Sequence, residues 1–336
     1  RMIDQRKLPA ALEFVYCSSV REMADAIRNM TIRGAPALGV AGAFGLALEA
    51  IRPTGGDILR QLFLASELLK AARPTAVNLA WGVERILKLT NQHEGSTADL
   101  AERILAEALE MAEEDVRTNL ALAQHGASLI DDGETILHHC NTGALAVVDW
   151  GTALGAIRYA HQQGKHIHVL VDETRPRLQG SRLTAWELEQ YSISYHIITD
   201  NAAGYYLRSG KVQKVFFGAD RVAANGDVVN KIGTYMLSLA ANANRVPVIC
   251  VFPLSTLDLT ESNGDNILIE ERLQEEVLGI TYQGQAVTPA AAQALNPAFD
   301  ITPHELISAW VTERGIIYPP FDRNLAQVGY NTRLDR

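Results

Sequence analysis

The chain has 336 residues, of which 47% are apolar and 21% are charged, and its formal net charge is −9. This composition is typical of a folded globular protein, so it excludes extended disorder, and the length predicts two domains. The acidic balance argues against broad nucleic-acid binding, which needs clustered Lys and Arg residues, so we expect no nucleic-acid partner. A local basic pocket for a small phosphorylated ligand remains compatible with this charge.

The three cysteines, Cys17, Cys140 and Cys250, are widely spaced and odd in number. They form neither a disulfide framework nor a Cys-x-x-Cys metal motif, which favours a reducing environment such as the cytoplasm. The longest apolar run, residues 35–48, is too short and too rich in Gly and Ala to cross a bilayer. We therefore expect a cytoplasmic protein with no signal peptide and no membrane partner.

The first part of the chain has apolar residues at spacings of three and four, a pattern that predicts amphipathic helices. The predicted helices cover residues 22–29, 35–50, 57–72, 76–89 and 99–124. The last of them is rich in Ala, Leu and Glu, which are strong helix formers. We therefore predict a small, mainly helical N-terminal domain over residues 1–128.

From about residue 130, short β-type runs alternate with helical stretches. The predicted strands cover residues 135–139, 167–171, 195–199, 212–217 and 246–252, and the predicted helices cover residues 151–163, 183–190, 202–209 and 231–244. This alternation indicates βαβ units, so the fold class is α/β, with a parallel sheet in a domain over residues 129–336. In such sheets, ligands bind beyond the carboxyl ends of the strands. Near the C-terminus, the capping-box spacing of Thr302, Pro303 and Glu305 predicts a further helix that ends at Gly315.

Two segments of the N-terminal part combine an arginine with a predicted helix start. Arg33, Gly34 and Ala35 form a small-residue turn before one helix, and Arg73 lies in the turn before another. A helix N-terminus offers free N–H groups and the positive end of its dipole, and arginine adds a planar donor pair, so both segments suit a phosphate. The alternatives are a tight turn that packs two helices and a solvated arginine at a helix boundary.

Cys140 follows a predicted strand within the run His138-His139-Cys140-Asn141-Thr142-Gly143. Free backbone N–H groups near such a strand end favour a thiolate, which suits a nucleophile or a base. Adjacent strand residues point to opposite faces, so His138, His139 and Cys140 cannot easily chelate one ion, and we expect no metal. The alternative is a buried structural cysteine.

Two polar segments follow the next predicted strands. Residues 172–182 include five charged residues beside a Gly and a Pro. Residues 218–234 include Asp220, which lies at the carboxyl end of a predicted apolar strand. Loss of water at that strand end favours the protonated carboxyl group that a general acid needs. After an Asn-Gly turn, Asn230 and Lys231 are predicted to open a helix and to hold a phosphate or a sugar hydroxyl. The alternatives are a surface loop with solvated ion pairs and a structural aspartate that caps the turn.

Taken in chain order, these segments resemble the methylthioribose-1-phosphate isomerase family, which is related to the alpha, beta and delta regulatory subunits of the eukaryotic translation-initiation exchange factor. The resemblance covers essentially the whole chain. It rests on Arg33-Gly34-Ala35-Pro36-Ala37, Arg73-Pro74-Thr75-Ala76-Val77-Asn78, Cys140-Asn141-Thr142-Gly143, Asp172-Glu173-Thr174-Arg175-Pro176, Leu178-Gln179-Gly180, Gly218-Ala219-Asp220-Arg221 and Asn230-Lys231-Ile232-Gly233-Thr234. It implies that a Rossmann-like C-terminal domain follows the helical domain in the chain, and that the protein is a homodimer.

The resemblance also implies an activity and a set of site residues. The expected reaction is the aldose–ketose isomerisation of 5-methylthioribose 1-phosphate in methionine salvage, with neither a metal nor a nicotinamide cofactor. Asp220 corresponds to the proton donor of the family, and Cys140 corresponds to its reactive cysteine. The substrate-binding positions correspond to Arg33, Gly34, Ala35, Arg73, Gln179, Asn230 and Lys231.

Other functions fit the same sequence features. An isomerase of the same architecture can act on 5-deoxyribose 1-phosphate or ribose 1,5-bisphosphate, because these sugars differ from the first only at C5. A regulatory subunit of the same family would bind a ligand without turnover. A nicotinamide-dependent dehydrogenase is disfavoured because no Gly-x-Gly-x-x-Gly motif follows a predicted strand.

Overall fold

The computed structural model describes residues 1–53, 55–90 and 95–325. Backbone contacts divide the chain into two compact units, of which the first comprises Arg1–Asn119 with Gly143–Gly151 and the second comprises Leu120–Thr142 with the chain from Thr152 onward. The first unit therefore includes a segment that the sequence predicts to belong to the second domain. The boundary at residues 128 and 129 stays a prediction about domains, and residues 326–336 of the predicted second domain lie outside the described residues.

The first unit consists mainly of helices, as predicted. These are α1 (Val20–Arg28), α2 (Ala35–Ile51), α3 (Ile58–Ala72), α4 (Val77–Thr90) and α5 (Thr97–Ala127), which continues into the second unit. Helices α1 and α3 begin where the side chains of Ser19 and Asp57 accept backbone N–H groups. The helices pack around buried apolar side chains that include Ile27, Leu46, Leu62, Leu69, Leu79 and Ile86. Before α1, an antiparallel pair joins β1 (Met2–Ile3) to β2 (Phe14–Val15).

The remaining strands and α-helices all lie in the second unit. The strands are β3 (Thr135–His138), β4 (His168–Asp172), β5 (Ser194–Ile198), β6 (Lys214–Phe217), β7 (Arg221–Ala223), β8 (Val228–Lys231), β9 (Val248–Val251), β10 (Leu257–Asp258), β11 (Thr281–Tyr282), β12 (Gln285–Ala286), β13 (Phe299–Thr302), β14 (Ala309–Thr312) and β15 (Gly315–Ile317). The helices are α6 (Ala153–Gln162), α7 (Ala185–Gln190), α8 (Ala203–Arg208), α9 (Thr234–Ala243), α10 (Glu275–Leu278) and α11 (Phe321–Asn324). No helix in the described ranges is long and apolar enough to cross a membrane.

Seven of these strands form the main sheet of the second unit, in the order β15-β14-β9-β6-β3-β4-β5. Its neighbouring strands are parallel except for the antiparallel pair of β14 and β15. Alternate residues of β6 enter different cores, since Phe216 packs in one apolar cluster and Val215 and Phe217 pack in another. Both faces of the sheet are therefore covered, which confirms the predicted α/β class.

The predicted helix opening at Asn230 and Lys231 is wrong. These residues end β8, which pairs antiparallel with β13 and places Asn230 opposite Asp300. The helix begins at Thr234, after Gly233 adopts a left-handed conformation with φ of 103°. Strand pairing with a segment far along the chain thus outweighs the local helix signal. The four-stranded sheet that results has the order β10-β7-β8-β13.

The predicted C-terminal helix between Thr302 and Gly315 is also wrong. Thr302 ends β13, residues 304–306 form one short 3-10 turn, and β14 and β15 follow as a hairpin. β14 joins the main sheet beside β9, and its Trp310 is fully buried against Phe321, with ring centroids 4.1 Å apart. Burial of this aromatic strand outweighs the capping-box signal.

Candidate active site

In the first unit, Arg33, Gly34 and Ala35 lie at the start of α2. Gly34 is the N-cap residue with φ of 101°, and no side chain of a described residue caps this end of the helix. The uncapped N–H groups and the helix dipole therefore make this end suitable for an anion. Gly34 also packs tightly against the backbone of Ala146. The tight turn and the anion-binding geometry are thus compatible descriptions of one feature.

Arg73 is the C-cap residue of α3, four residues before α4 begins at Val77. The start of α4 packs against α2 about one turn after α2 begins, because a Cβ on Gly39 would lie 2.9 Å from the carbonyl oxygen of Asn78. The two arginines therefore precede helix N-termini that lie near each other within the same unit. Both arginines are half-buried.

In the second unit, Cys140 lies just beyond the carboxyl end of β3. It is buried and adopts a φ of 65°, which is uncommon for a residue with a side chain. Its backbone is held on both sides: the N–H donates to Thr174 Oγ1 at 2.9 Å, and the carbonyl accepts the Thr184 hydroxyl at 2.7 Å. A strained residue with such well-defined anchors is a recurrent feature of functional sites.

His138 is a buried, uncharged support for the turn after Cys140. Its Nδ1 lies 2.8 Å from the carbonyl oxygen of Phe216, so Nδ1 donates and Nε2 is left to accept the Thr142 hydroxyl at 3.3 Å. Burial lowers the pKa of His138 to about 3. Both ring nitrogens are therefore engaged in structural contacts, and neither faces a metal-binding position.

His139 is also buried, but its environment is negative. Nδ1 lies 2.9 Å from Asp172 Oδ2, and Nε2 lies 3.0 Å from the carbonyl oxygen of Ile232. Burial alone would lower the pKa of His139, but the hydrogen bond and charge of Asp172 outweigh burial and raise it. Burial raises the pKa of Asp172 to about 6. Sequence reasoning missed this pair, although an aspartate directly after an apolar strand was a usable signal.

Gln179 lies beyond the carboxyl end of β4, at the start of the turn formed by Gly180–Thr184. Its side chain is buried, and its Oε1 accepts no hydrogen bond from any described residue. A buried acceptor without a partner is costly, so each such atom needs a reason. A ligand hydroxyl or N–H group would satisfy it.

Asp220 is half-buried in the loop that follows β6. Its backbone N–H donates to the carbonyl oxygen of Val229 at 3.0 Å, which ties the loop to β8. Two residues earlier, a Cβ on Gly218 would lie 2.9 Å from Thr142 Cγ2. The loops after β3 and β6 therefore touch, and they bring the segments that carry Cys140 and Asp220 together.

Asn230 and Lys231 are held by the ends of β8 and β13. The buried Asn230 amide donates to Thr234 Oγ1 at 2.9 Å. The Lys231 amine donates to the carbonyl oxygen of Ala298 at 2.8 Å and lies 4.3 Å from the ring centre of Phe299. The lysine amine is therefore preorganised, because its carbon chain cannot swing freely.

Asp300 fixes the turn that follows Lys231. Its carboxylate accepts the backbone N–H groups of Gly233 at 2.7 Å and Tyr235 at 3.2 Å, so it caps α9 from another strand. Burial raises the pKa of Asp300 to about 6. This residue was also missed as a site component by sequence reasoning, because its partners lie more than sixty positions earlier in the chain.

Contacts thus join the segments that carry Cys140, Gln179, Asp220 and the Asn230–Lys231 pair at one end of the main sheet. Arg33, Gly34, Ala35 and Arg73 form a separate group at two helix N-termini of the first unit. The roles predicted for these nine residues stay predictions.

Two clusters among the described residues have the side chains of a metal site: His139 with Asp172 and Asp200, and Asp227 with His304 and Glu305. In the first, the two carboxylate oxygens of Asp200 accept backbone N–H groups of the loop after β4, each at 2.7 Å. In the second, the carboxylate of Asp227 accepts both the backbone N–H and Nδ1 of His304, each at 3.1 Å. Hydrogen bonds within the fold therefore account for both clusters.

The full sequence has close relatives. Residues 31–319 match the initiation factor 2 subunit family. The chain is 48% identical to a Synechococcus protein named methylthioribose-1-phosphate isomerase, with 98% of this chain and 95% of that protein covered. It is also 48% identical to the Thermotoga neapolitana protein of the same name, over the same shares of the two chains.

Solved structures extend the similarity to the fold. The 5-methylthioribose 1-phosphate isomerase of Pyrococcus horikoshii has a TM-score of 0.90 at 43% identity, with 98% of this chain and 92% of that chain covered. The A. fulgidus structure described as translation initiation factor eIF-2B, subunit delta, has a TM-score of 0.87 at 44% identity, with 97% and 95% covered. The chain therefore belongs to the initiation factor 2 subunit family and, within it, to the methylthioribose-1-phosphate isomerases.

Proposed function

We propose that this protein is an aldose–ketose isomerase that converts 5-methylthioribose 1-phosphate to 5-methylthioribulose 1-phosphate in methionine salvage. The observation that carries the proposal is the 48% identity to the Synechococcus isomerase over 98% of the chain. The geometry adds a buried thiol, a half-buried carboxyl group and an unpaired buried amide oxygen at one end of a parallel sheet. That end is where α/β proteins bind their ligands.

Arg33, Gly34, Ala35 and Arg73 bind the phosphate in this proposal. The uncapped N-terminus of α2 supplies backbone N–H groups, and the nearby start of α4 adds a second positive dipole end. Each arginine supplies a planar donor pair that matches phosphate oxygens. Gly34 lets the Ala146 backbone pack against this helix start, because a side chain at position 34 would clash with it.

Asp220 acts as the acid that opens the ring. The phosphate on the anomeric oxygen prevents spontaneous opening to an aldehyde, so the ring oxygen must be protonated as its bond to C1 breaks. A carboxylic acid held partly away from water is suited to this step. The loop contacts of Asp220 support the assignment, since they hold the segment beside the Cys140 turn.

Hydrogen then moves from C2 to C1 by one of two routes. In the first, the Cys140 thiolate removes the C2 proton to form an enol phosphate, and the same thiol returns a proton to C1. In the second, a hydride passes directly from C2 to C1. In both, the 2-hydroxyl loses its proton as the ketone forms, and that proton replaces the one given up by Asp220.

Gln179, Asn230 and Lys231 bind the sugar in this proposal. The unpaired Oε1 of Gln179 accepts a sugar hydroxyl, which removes the cost of a buried unsatisfied acceptor. The Lys231 amine, held at Ala298 and Phe299, lends positive charge near the substrate. Such fixed positive charge stabilises the negative charge that develops on the 2-oxygen as its proton leaves.

The protein works in the cytoplasm as a homodimer in this proposal, with neither a metal nor a nicotinamide. The reaction is redox-neutral because hydrogen moves between two carbons of one molecule, so no external electron acceptor is needed. The acid and the thiol proposed above supply the required proton transfers. Sedimentation analysis of the purified chain tests the dimer.

Phosphorus NMR with the purified chain tests the activity. We expect rapid conversion of methylthioribose 1-phosphate to its ketose phosphate, with 5-deoxyribose 1-phosphate and ribose 1,5-bisphosphate turned over more slowly. A clear preference for either of the last two would reassign the substrate and keep the site. A substrate deuterated at C2 separates the two routes, because hydride transfer retains all deuterium in the product and proton abstraction releases part of it to water.

A second candidate function is a non-catalytic regulatory subunit. The structure from A. fulgidus supports this candidate, because it bears the description of an initiation-factor subunit and shares 44% of its sequence with this chain. Such a protein would bind the sugar phosphates without turnover. Calorimetric binding without any change in the phosphorus spectrum would favour the regulatory subunit over the isomerase.

A further inference from the structure

The buried imidazole of His139 joins segments of the second unit that carry proposed site residues. Nδ1 lies 2.9 Å from Asp172 Oδ2 at the end of β4, and Nε2 lies 3.0 Å from the carbonyl oxygen of Ile232 in the turn after β8. His139 directly precedes Cys140, and Ile232 directly follows Lys231. One ring therefore connects the cysteine turn to the lysine turn.

We propose that His139 is a positioning residue of the isomerase, which keeps the Cys140 turn and the Lys231 turn in register only while both of its ring nitrogens carry hydrogen. We call the contact of His139 with Asp172 and Ile232 the His139 bridge. The inference rests on the proposed function, because it assigns His139 a part in the same reaction. His139 acts through the two turns, and its ring has no assigned contact with the substrate.

The packing around the ring leaves little room for an alternative position. A Cβ on Gly233 would lie 2.9 Å from the His139 ring, so the ring lies against the backbone of the turn after β8. The residue that holds Nδ1 also anchors the cysteine: the backbone carbonyl of Asp172 accepts the Thr174 hydroxyl at 3.0 Å, and that hydroxyl oxygen accepts the Cys140 N–H at 2.9 Å. Movement of the ring therefore shifts the anchors of the strained cysteine.

The charges around the ring favour its cationic form. Carboxyl groups act on His139 from three other segments: Asp172 at the end of β4, Asp200 after β5 and Asp300 on β13. The neighbouring His138 is uncharged, because burial lowers its pKa to about 3. These carboxyl groups raise the pKa of His139, although burial alone would lower it.

The hydrogen-bond partners define how the bridge depends on pH. The carbonyl oxygen of Ile232 can only accept, so Nε2 carries hydrogen, and Nδ1 donates to the ionised Asp172 when the ring is cationic. As the pH rises through the raised pKa of His139, the ring loses one of its two protons, and a lone pair then faces either the carboxylate or the carbonyl oxygen. The bridge is therefore intact below that pKa and is lost above it.

Four variants test the bridge. His139→Asn keeps an amide N–H near the position of Nδ1, and His139→Gln keeps one near the position of Nε2, so each retains one of the two contacts. Asp172→Asn supplies an amide that donates to a neutral ring, which preserves the geometry and removes the charge. His166→Gln is the matched control, because the His166 side chain is 90% exposed.

We expect both His139 variants to fold with a melting temperature near that of wild type. Their kcat should fall about 100-fold, because the reacting groups are misplaced, and their KM should change by less than about threefold. In wild type, kcat should fall over the same pH interval in which nitrogen-labelled histidine NMR shows that the His139 ring loses one of its two protons. Asp172→Asn should lack this alkaline fall. His166→Gln should match wild type throughout.

Two results would overturn the proposal: a His139 ring with only one protonated nitrogen between pH 6 and 7, or unchanged kcat in both His139 variants. If a His139 variant is unfolded, the NMR titration of wild type and the pH profile of Asp172→Asn still test the His139 bridge. The test also separates the two proposals. Absence of turnover in wild type contradicts the isomerase function, whereas an active wild type with active His139 variants contradicts only the bridge.

Discussion

A Cβ atom on Gly34 would lie 2.1 Å from the carbonyl oxygen of Ala146. Gly34 begins α2, and Ala146 ends a short 3-10 turn of the same unit. The helix end proposed to bind phosphate is therefore pressed against backbone, which cannot move aside as a flexible side chain can. Glycine at position 34 meets this close approach and also the left-handed φ of 101°.

Gly34→Ala should strongly destabilise the protein and abolish turnover, because it adds a backbone clash to an unfavourable φ. Gly55→Ala is the matched control, since Gly55 has φ of 103° and no atom of the described residues lies within 4 Å of the added Cβ. The control should cost only about 1 to 2 kcal/mol from the backbone term. Urea unfolding of both variants measures the difference, and equal losses would contradict the role of the Ala146 contact.

Cys140→Ser and Asp220→Asn should each fold normally and lose most of their turnover, by about 100-fold or more, because each removes a proposed proton-transfer group. Cys17→Ser and Asp132→Asn are the controls and should retain wild-type kcat. Phosphorus NMR rates and thermal melts of the four variants provide the measurement. Near-normal activity in both Cys140→Ser and Asp220→Asn would remove these residues from the catalytic site.

Arg73→Ala should raise KM for the sugar phosphate by about tenfold or more, with a smaller change in kcat, because it removes charge-assisted hydrogen bonds to the phosphate. Arg60→Ala, on the exposed face of the same helix, is the matched control. Raised ionic strength should weaken substrate binding in wild type more than in Arg73→Ala. An unchanged KM in Arg73→Ala would exclude the arginine from the site.

Asp115→Asn should change the unfolding free energy relative to wild type, and this change should be more favourable at pH 8 than at pH 4. Burial raises the pKa of Asp115 to about 6, so the stability that its protonated form contributes is lost as the pH rises through that value. The amide is uncharged at both pH values and keeps an acceptor for the Val148 N–H, which lies 2.7 Å from the carboxylate. The stability change caused by the substitution should be about 1 to 2 kcal/mol more favourable at pH 8 than at pH 4.

Asp132→Asn is the control for the direction of the pH dependence, because the pKa of Asp132 is lowered and not raised. Hydrogen bonds from the backbone and ring of His166 hold the pKa of Asp132 below its usual value, so its ionised form contributes stability that is lost at low pH. This substitution should therefore be relatively less favourable at pH 8 than at pH 4. Unfolding free energies of both variants at the two pH values test the pair, and a pH-independent effect of Asp115→Asn would contradict the burial argument.

The elements that sequence patterns predicted well are those whose signal is local. Spacings of three and four predicted the helices that the structure shows as α1 to α5, and capping by Ser19 and Asp57 acts within three residues of each helix start. The alternation of strands and helices after residue 130 likewise predicted the parallel sheet, with Cys140 and Asp220 beyond strand ends.

The elements that patterns predicted wrongly depend on distant partners. Asn230 and Lys231 have the local features of a helix start, but they pair with β13 and face Asp300 and Phe299. Thr302 and Glu305 have the spacing of a capping box, but the segment that follows enters the main sheet beside β9. Local propensity is a weak preference, and the pairing and burial of a strand outweigh it.

The sequence by itself therefore determined the α/β class, the helical first part and the candidate residues that stand at helix starts and strand ends, because each of these depends on neighbours in the chain. Only the tertiary structure decided which side chains surround them. The ring of His139 meets partners 33 and 93 positions away, and the unpaired oxygen of Gln179 becomes apparent only once its surroundings are packed. Hydrogen bonds and burial at such separations are set by the fold as a whole, which no local pattern records.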